Sequence, residues 1–262
     1  MFKVIGSVFL SFLLMFCQPN FAASEEDPWE GFNRAMFTFN DTLDGAILKP
    51  VAQGYKAVTP TPAQKGITNF FSNLGEISNI VNNLLQGKWD GTASSTWRFV
   101  INSTAGWFGI FDVASELGLK EYNEDFGQTL GYWGVSSGPY LVLPFLGPST
   151  LRDGAGLVVD YTAYDDGEEL FLDLTYKEYL ATLALDVVQT RARLLSAESL
   201  IFGDRYTFIR DVYLQTRAFE VYDGNVPAKQ NQSTDESVDD SWGDDSWGDD
   251  SWEDDAGGSW AE

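Results

Sequence analysis

Residues 126–153 read FGQTLGYWGVSSGPYLVLPFLGPSTLRD. The middle of this stretch is apolar and aromatic, yet Gly127, Gly131, Gly134, Gly138, Pro139, Pro144, Gly147 and Pro148 interrupt it. Neither an amphipathic helix nor an alternating strand tolerates breakers at that density. Two surroundings accept such a segment. One is a soluble helical core on which an elaborate loop packs. The other is a membrane, where irregular backbone is allowed when it packs on protein or lines water.

The flanking segments read as helices. Asp27-Pro28-Trp29-Glu30 resembles a helix start, with Asp as cap and Pro in the first turn. Phe32, Met36, Phe39, Leu43 and Ile47 follow on one face, and Pro50 marks the predicted end. A core-facing helix satisfies that periodicity. Over 62–86, Ile67, Phe70, Phe71, Leu74, Ile77, Val81, Leu84 and Leu85 hold a three-four rhythm. The other side carries Asn69, Ser72, Asn73, Glu76, Asn79, Asn82, Asn83 and Gln86, and Gly87 stops it. Asn is a weak helix former, so five of them on one face suit a wet channel or membrane interface as well as plain solvent. Residues 92–113 are a further helix candidate, rich in Trp97, Phe99, Trp107, Phe108 and Phe111, a composition shared by buried cores and membrane interfaces. Two amphipathic helices are expected over 168–190 and 196–221. No strand-rich region emerges, so the predicted class is all-α.

The two ends read differently. Residues 1–23 have the form of a secretory signal, with Lys3, an apolar core from Val4 to Phe16 and a polar exit from Gln18 to Ser24. A retained signal anchor is the alternative, but the core is shorter than the roughly 20 residues a spanning helix needs. Cys17 is the single cysteine, which rules out an intramolecular disulfide. Leu14-Met15-Phe16-Cys17 has the leucine that bacterial lipoprotein signals place three residues ahead of a lipidated Cys, with cleavage before Cys17. Phe16 is a poor fit beside it, and cleavage near Ala22-Ala23-Ser24 would discard the thiol. If lipidated, Gln18 is not the Asp that retains lipoproteins in the inner membrane. Residues 226–262 hold nine Asp, three Glu and one Lys, and repeat a five-residue Asp-Ser-Trp unit at 240, 245 and 250. That composition predicts a disordered acidic tail. The domain between spans 24–225.

Function classes fall away on composition. A net charge of −23 opposes nucleic-acid binding. Histidine is absent, which removes His-dependent hydrolysis and His-ligated zinc. No phosphate-cradling glycine loop occurs, and nothing calls for a cofactor or a resident metal. Carboxylate chemistry survives through pairs such as Glu121/Asp125 or Asp165/Glu168, although such pairs are ordinarily solvated faces. The expectation is a protein that is not an enzyme.

Several spaced motifs now align with one family. Trp29, Glu30, Asn33 and Arg34 lie in an opening that resembles the D-P-x-E-x-x-N-R of the MlaA family, also called VacJ lipoproteins. Phe126, Gly127, Leu130, Gly131, Gly134, Gly138 and Pro139 resemble its central motif. Leu143, Pro144, Gly147, Arg152 and Asp153 resemble the segment after it, and the likeness covers about 27–220. The resemblance implies an outer-membrane lipoprotein built as a ring of amphipathic helices embedded in one membrane leaflet, on the periplasmic side. It implies phospholipid transport that maintains outer-membrane lipid asymmetry. Misplaced outer-leaflet phospholipid would leave through a polar passage and pass to a periplasmic lipid-carrier protein, with trimeric porins as associates. Phe16 and the Asp/Trp tail depart from the pattern. A head group needs a polar route, because burying it unpaired in hydrocarbon is costly. Asn79, Asn82, Asn83, Ser136, Ser137 and Tyr140 are the expected lining. A non-transporting outer-membrane scaffold and a periplasmic carboxylate hydrolase remain as rivals.

Overall fold

The computed structural model describes residues 27–172 and 175–227, and side chains among these except for 163–172 and 176. The predicted signal, Cys17 and the acidic tail lie outside the described residues. Helices dominate. In chain order they are α1 (Glu30–Leu43), a π-helical turn (Asp44–Leu48), α2 (Lys49–Val58), α3 (Thr61–Leu85), α4 (Trp89–Thr104), α5 (Val113–Glu116) and α6 (Phe126–Tyr132). A short hairpin, β1 (Tyr140–Leu143) and β2 (Gly147–Thr150), precedes α7 (Leu151–Leu172), α8 (Tyr176–Leu194), a 3₁₀ turn (Ala197–Leu200) and α9 (Arg205–Val221).

Several boundaries differ from the sequence expectation, each for a local reason. Pro50 does not end the first helix. The turn before it widens to π geometry, with the Lys49 N–H reaching back to the Asp44 carbonyl, and the helix runs on to Val58. A widened turn makes room for the proline ring, which would otherwise clash one turn back. Asp27 is no cap: Trp29 occupies that position without a side-chain bond. Asp27 is instead buried, taking a hydrogen bond from Asn33 at 2.7 Å and another from the Tyr206 hydroxyl. The first helix also leaves Phe39 and Ile47 exposed, so its apolar face is not wholly core-facing. The helix expected over 92–113 stops at Thr104, after which Trp107 and Phe108 take left-handed backbone angles of φ 53° and 57°. The helix expected from 168 to 190 is two, because Thr175 and Glu178 form a capping box that starts α8 afresh.

The breaker-rich stretch resolves into α6, a loop and the hairpin. Gly134 ends α6 at φ 90°, and its N–H reaches the Gly131 carbonyl at 2.9 Å. β1 and β2 pair antiparallel, from Tyr140 with Thr150 to Leu143 with Gly147. The mainly helical class expected from the sequence holds, and this hairpin is the sheet structure among the described residues. Four-residue strands bracketed by Pro and Gly give no readable alternation.

Asparagines on α1 hold this hairpin in place. Asn33 donates to the Tyr140 carbonyl at 3.0 Å and accepts from the Val142 N–H at 2.9 Å. Two turns on, Asn40 donates to the Leu143 carbonyl at 2.9 Å and accepts from the Phe145 N–H at 2.8 Å. Both amides imitate a neighbouring strand along β1, whose backbone groups need partners when buried. Beneath it, Tyr140, Val142 and Tyr206 form a small apolar cluster with Met36, Phe37, Tyr213 and Leu214.

The wider distribution of side chains is inverted. Among the described residues only eight hydrophobic side chains are buried, against nineteen polar or charged ones. Trp29, Trp89, Trp97, Trp107 and Trp133 are all exposed, by 43–71 %. Among the described residues, no helix is long and apolar enough to cross a membrane.

Candidate functional site

The α3–α4 pair shows the inversion most clearly. On α3, Asn73, Glu76, Asn79 and Asn83 are buried, while Val81, Leu84 and Leu85 of the same helix are exposed. On α4, the buried stripe is Gly91, Ser95, Arg98 and Asn102, spaced by four, three and four, while Trp97 and Val100 are exposed. The two polar stripes meet. Arg98 Nε lies 2.5 Å from Glu76 Oε1, both side chains being almost fully buried. Its Nη1 donates to Ser115 Oγ at 2.9 Å and to the Leu119 carbonyl at 3.1 Å. Asn73 donates to Ser103 Oγ at 2.9 Å. A Cβ on Gly91 would sit 1.9 Å from Asn83 Oδ1, so only glycine permits this approach. Burial works against the Arg98 charge, but the hydrogen bond it donates to Glu76 and the field of Glu76, Asp112 and Glu121 outweigh it and raise its pKa.

The polar interior continues from α3 into α6 and the segment before it. Asn79 Oδ1 accepts the Glu124 N–H at 3.0 Å. Asn82 Oδ1 accepts the Thr129 hydroxyl at 2.8 Å. Gln86 donates to Glu124 at 2.8 Å and Thr129 at 3.1 Å, and Lys88 pairs with Glu124 at 2.9 Å. From α7, the Asp160 carboxylate accepts the Phe126 N–H at 2.9 Å and lies 3.5 Å from both Ser78 Oγ and Asn82 Nδ2.

The motif-bearing residues converge on a junction of α6, α7 and α9. Arg217 of α9 grips Asp125 through two bonds, at 2.5 and 2.6 Å, and Asp153 at 3.1 Å. Asp153 also receives Arg152, Thr150 and Tyr213. These bonds hold its carboxyl below the usual range although burial pushes the other way. Gly127 and Gly131 let the chains meet: a Cβ on Gly127 would lie 2.5 Å from Arg217 Nη2, and one on Gly131 would lie 2.7 Å from Val221. Glu30 pairs with Arg34 at 2.7 Å, and Arg34 reaches Asp204 at 2.7 Å while its guanidinium caps the Tyr206 ring at 4.3 Å. Phe126 meets Trp133 edge-on at 6.2 Å. Leu130 gives its carbonyl to Val135, and Pro139 its own to Leu151. Gly138 and Gly147 turn the chain at positive φ on either side of Leu143 and Pro144.

Compared with known proteins, residues 25–220 match the family model described as MlaA lipoprotein. The chain belongs to the MlaA lipoprotein family. It is 37 % identical over 222 residues to the Escherichia coli K12 intermembrane phospholipid transport system lipoprotein MlaA, covering 82 % of this chain and 86 % of that one. To the Haemophilus influenzae protein of the same name it is 32 % identical over 221 residues, with coverage of 82 % and 86 %. A solved chain from work on the structural basis for maintenance of bacterial outer membrane lipid asymmetry superposes with a TM-score of 0.63. That chain is 38 % identical, and the match covers 74 % of this chain and 98 % of the other.

The expected lining residues do not form one group. Asn79, Asn82 and Asn83 lie together, buried and bonded to protein, so this face of α3 is not an ordinary solvated one. Tyr140 sits apart in the apolar cluster under the hairpin, and burial with the field of Asp27 raises its pKa. Ser136 is exposed, and Ser137 is partly buried with its carbonyl taken by the Arg152 N–H. Of the carboxylate pairs read as possible catalysts, Glu121 and Asp125 have structural work. Asp125 caps α6 and binds Arg217, while Glu121 accepts from Ser72. The side chains of Asp165 and Glu168 are outside those described. Sequence reasoning missed Arg98 and Asp160. An arginine three residues from Gly91-x-x-x-Ser95, on the same helical stripe, was the available signal for the first.

Proposed function

We propose that this chain removes phospholipid from the outer leaflet of the outer membrane and delivers it to a periplasmic carrier, so keeping the membrane asymmetric. It sits in the periplasmic leaflet as a ring of amphipathic helices. The carrying observation is the inversion of the fold: polar and charged groups pack inward while Trp89, Trp97, Trp107, Phe108, Phe145 and Leu146 stand exposed. In water so much uncovered apolar surface is unfavourable, whereas in lipid it is the expected outer face. Within acyl chains helices associate through small and polar residues, which is the make-up of the α3–α4 contact. The family relationship supports the same reading, since the named relatives are phospholipid transport lipoproteins.

The head group follows the polar interior while the acyl tails stay in lipid. Asn79, Asn82 and Asn83 form the frame of this passage, and Ser136, Ser137 and the loop they occupy form its mouth. Cys17 carries the anchoring lipid, 24–225 is the transport domain, and porin trimers and a soluble lipid carrier are its partners. No cofactor is needed, because flow toward a tighter-binding carrier is downhill. The test is the amount of phospholipid in the outer leaflet of cells with and without this gene. A rise on deletion, reversed by the intact gene, is expected. No rise, with the protein in the outer membrane and no redundant route, refutes transport.

A further inference from the structure

The most buried acids of this domain come with cations, whereas two half-buried carboxylates, Asp160 and Asp186, have none among the ion pairs of the described residues, and of the two it is Asp160 that meets the asparagine face of α3. Glu76 has Arg98, Glu124 has Lys88, Asp27 has Arg210, and Asp125 and Asp153 share Arg217, with Arg152 also on Asp153. Asp160 has no Lys or Arg among the ion pairs of the described residues. Its partners are the Phe126 N–H at 2.9 Å, Ser78 Oγ at 3.5 Å and Asn82 Nδ2 at 3.5 Å. An amide N–H satisfies a lone pair but brings no countercharge. Burial, together with repulsion from another carboxylate, Asp125, pushes the Asp160 carboxyl up. Asp160 and Ser78 are only partly buried, and both adjoin the asparagine face of α3.

We propose that Asp160 and Ser78 receive the primary ammonium of an ethanolamine phospholipid head group during its passage. The inference rests on the transport reading above. An ammonium supplies the countercharge and three donors, for which the carboxylate and the Ser78 hydroxyl are acceptors. A divalent cation fits this donor set poorly: it takes six or more oxygens, often from several carboxylates. Among the described residues, no cluster of three metal-ligating side chains occurs. A glycerol head group brings no positive charge, so the passage discriminates between zwitterionic and anionic phospholipids.

The experiment uses the full chain reconstituted in vesicles of equal phosphatidylethanolamine and phosphatidylglycerol, re-extracted, with retained lipid quantified by mass spectrometry. The expected result is an ethanolamine preference of about fivefold, the size of a partly screened ion pair. That preference falls to the bulk ratio in Asp160→Asn, survives in Asp160→Glu and weakens in Ser78→Ala. Replacing phosphatidylethanolamine by its N-acetylated form abolishes it in the unmodified chain, a control that needs no variant to fold. Equal retention of both lipids by the unmodified chain, or an unchanged preference in Asp160→Asn, overturns the proposal. If that same chain restores asymmetry to deletion cells, the head-group proposal alone has failed. If it restores nothing, the transport reading fails with it.

Discussion

Removing the Arg98 guanidinium is the sharpest test of the inverted core. Arg98 makes four short contacts in a nearly water-free position: to Glu76 at 2.5 Å, Ser115 at 2.9 Å, the Leu119 carbonyl at 3.1 Å and Asp112 at 3.5 Å. In Arg98→Leu the Glu76 carboxylate, about 1 % exposed, keeps its burial and loses its countercharge. Breaking a buried pair on one side costs about 3–5 kcal/mol. At about 2–4 °C per kcal/mol for a domain of this size, the loss is about 6–20 °C in melting temperature. Arg98→Lys keeps the charge and forfeits the fork, so it falls between, about 1–3 kcal/mol down. Combining Glu76→Gln with Arg98→Leu removes the stranded charge and recovers about 2 kcal/mol or more. The assay is thermal unfolding by circular dichroism in lipid nanodiscs. A shift under about 3 °C for Arg98→Leu, or strictly additive costs in the double variant, refutes the claim that this pair holds α3 to α4.

Three further outcomes follow from named contacts. A Cβ at Gly156 would lie 2.5 Å from the Gly127 backbone nitrogen, so Gly156→Ala pushes α7 off α6 and costs about 1–3 kcal/mol, whereas Gly75→Ala, with nothing within 4 Å, gains about 0.5–1 kcal/mol; unfolding midpoints of the two check this. Hydrogen bonds from Lys49 and Arg191 depress the Glu198 carboxyl from 4.5 to about 2. Its stabilisation is therefore complete above pH 4.5 and lost as pH falls toward about 2, and a pH series of melting temperatures on Glu198→Gln should lack that part of the acid loss. Replacing Trp107 and Phe108, 64 % and 69 % exposed at a left-handed turn, by Ser should weaken vesicle flotation of the chain beginning at Ser24 by roughly tenfold per ring. Unchanged flotation would remove that turn from the membrane face.

The periodicity of 62–86 was sufficient to place α3 within a residue or two, since a three-four rhythm has few other readings. The glycines and prolines of 126–148 likewise announced a broken chain, and the motif residues that identified the family were readable one by one. Their purpose was not. Gly127 and Gly131 matter because Arg217 and Val221, some ninety residues away, need the space above them. Pro50 looked like a stop because the π turn that absorbs it forms only within a continuing helix. An amphipathic helix has two stripes, and its sequence states their spacing without stating which one faces the solvent. Only the partner helix decides that. On α3 the asparagines turned inward because Arg98, Ser95 and Gly91 meet them, which leaves Val81, Leu84 and Leu85 uncovered. Local sequence determined where helices begin and where the chain must bend. The tertiary structure determined inside from outside, because that choice depends on which polar groups find partners across the fold.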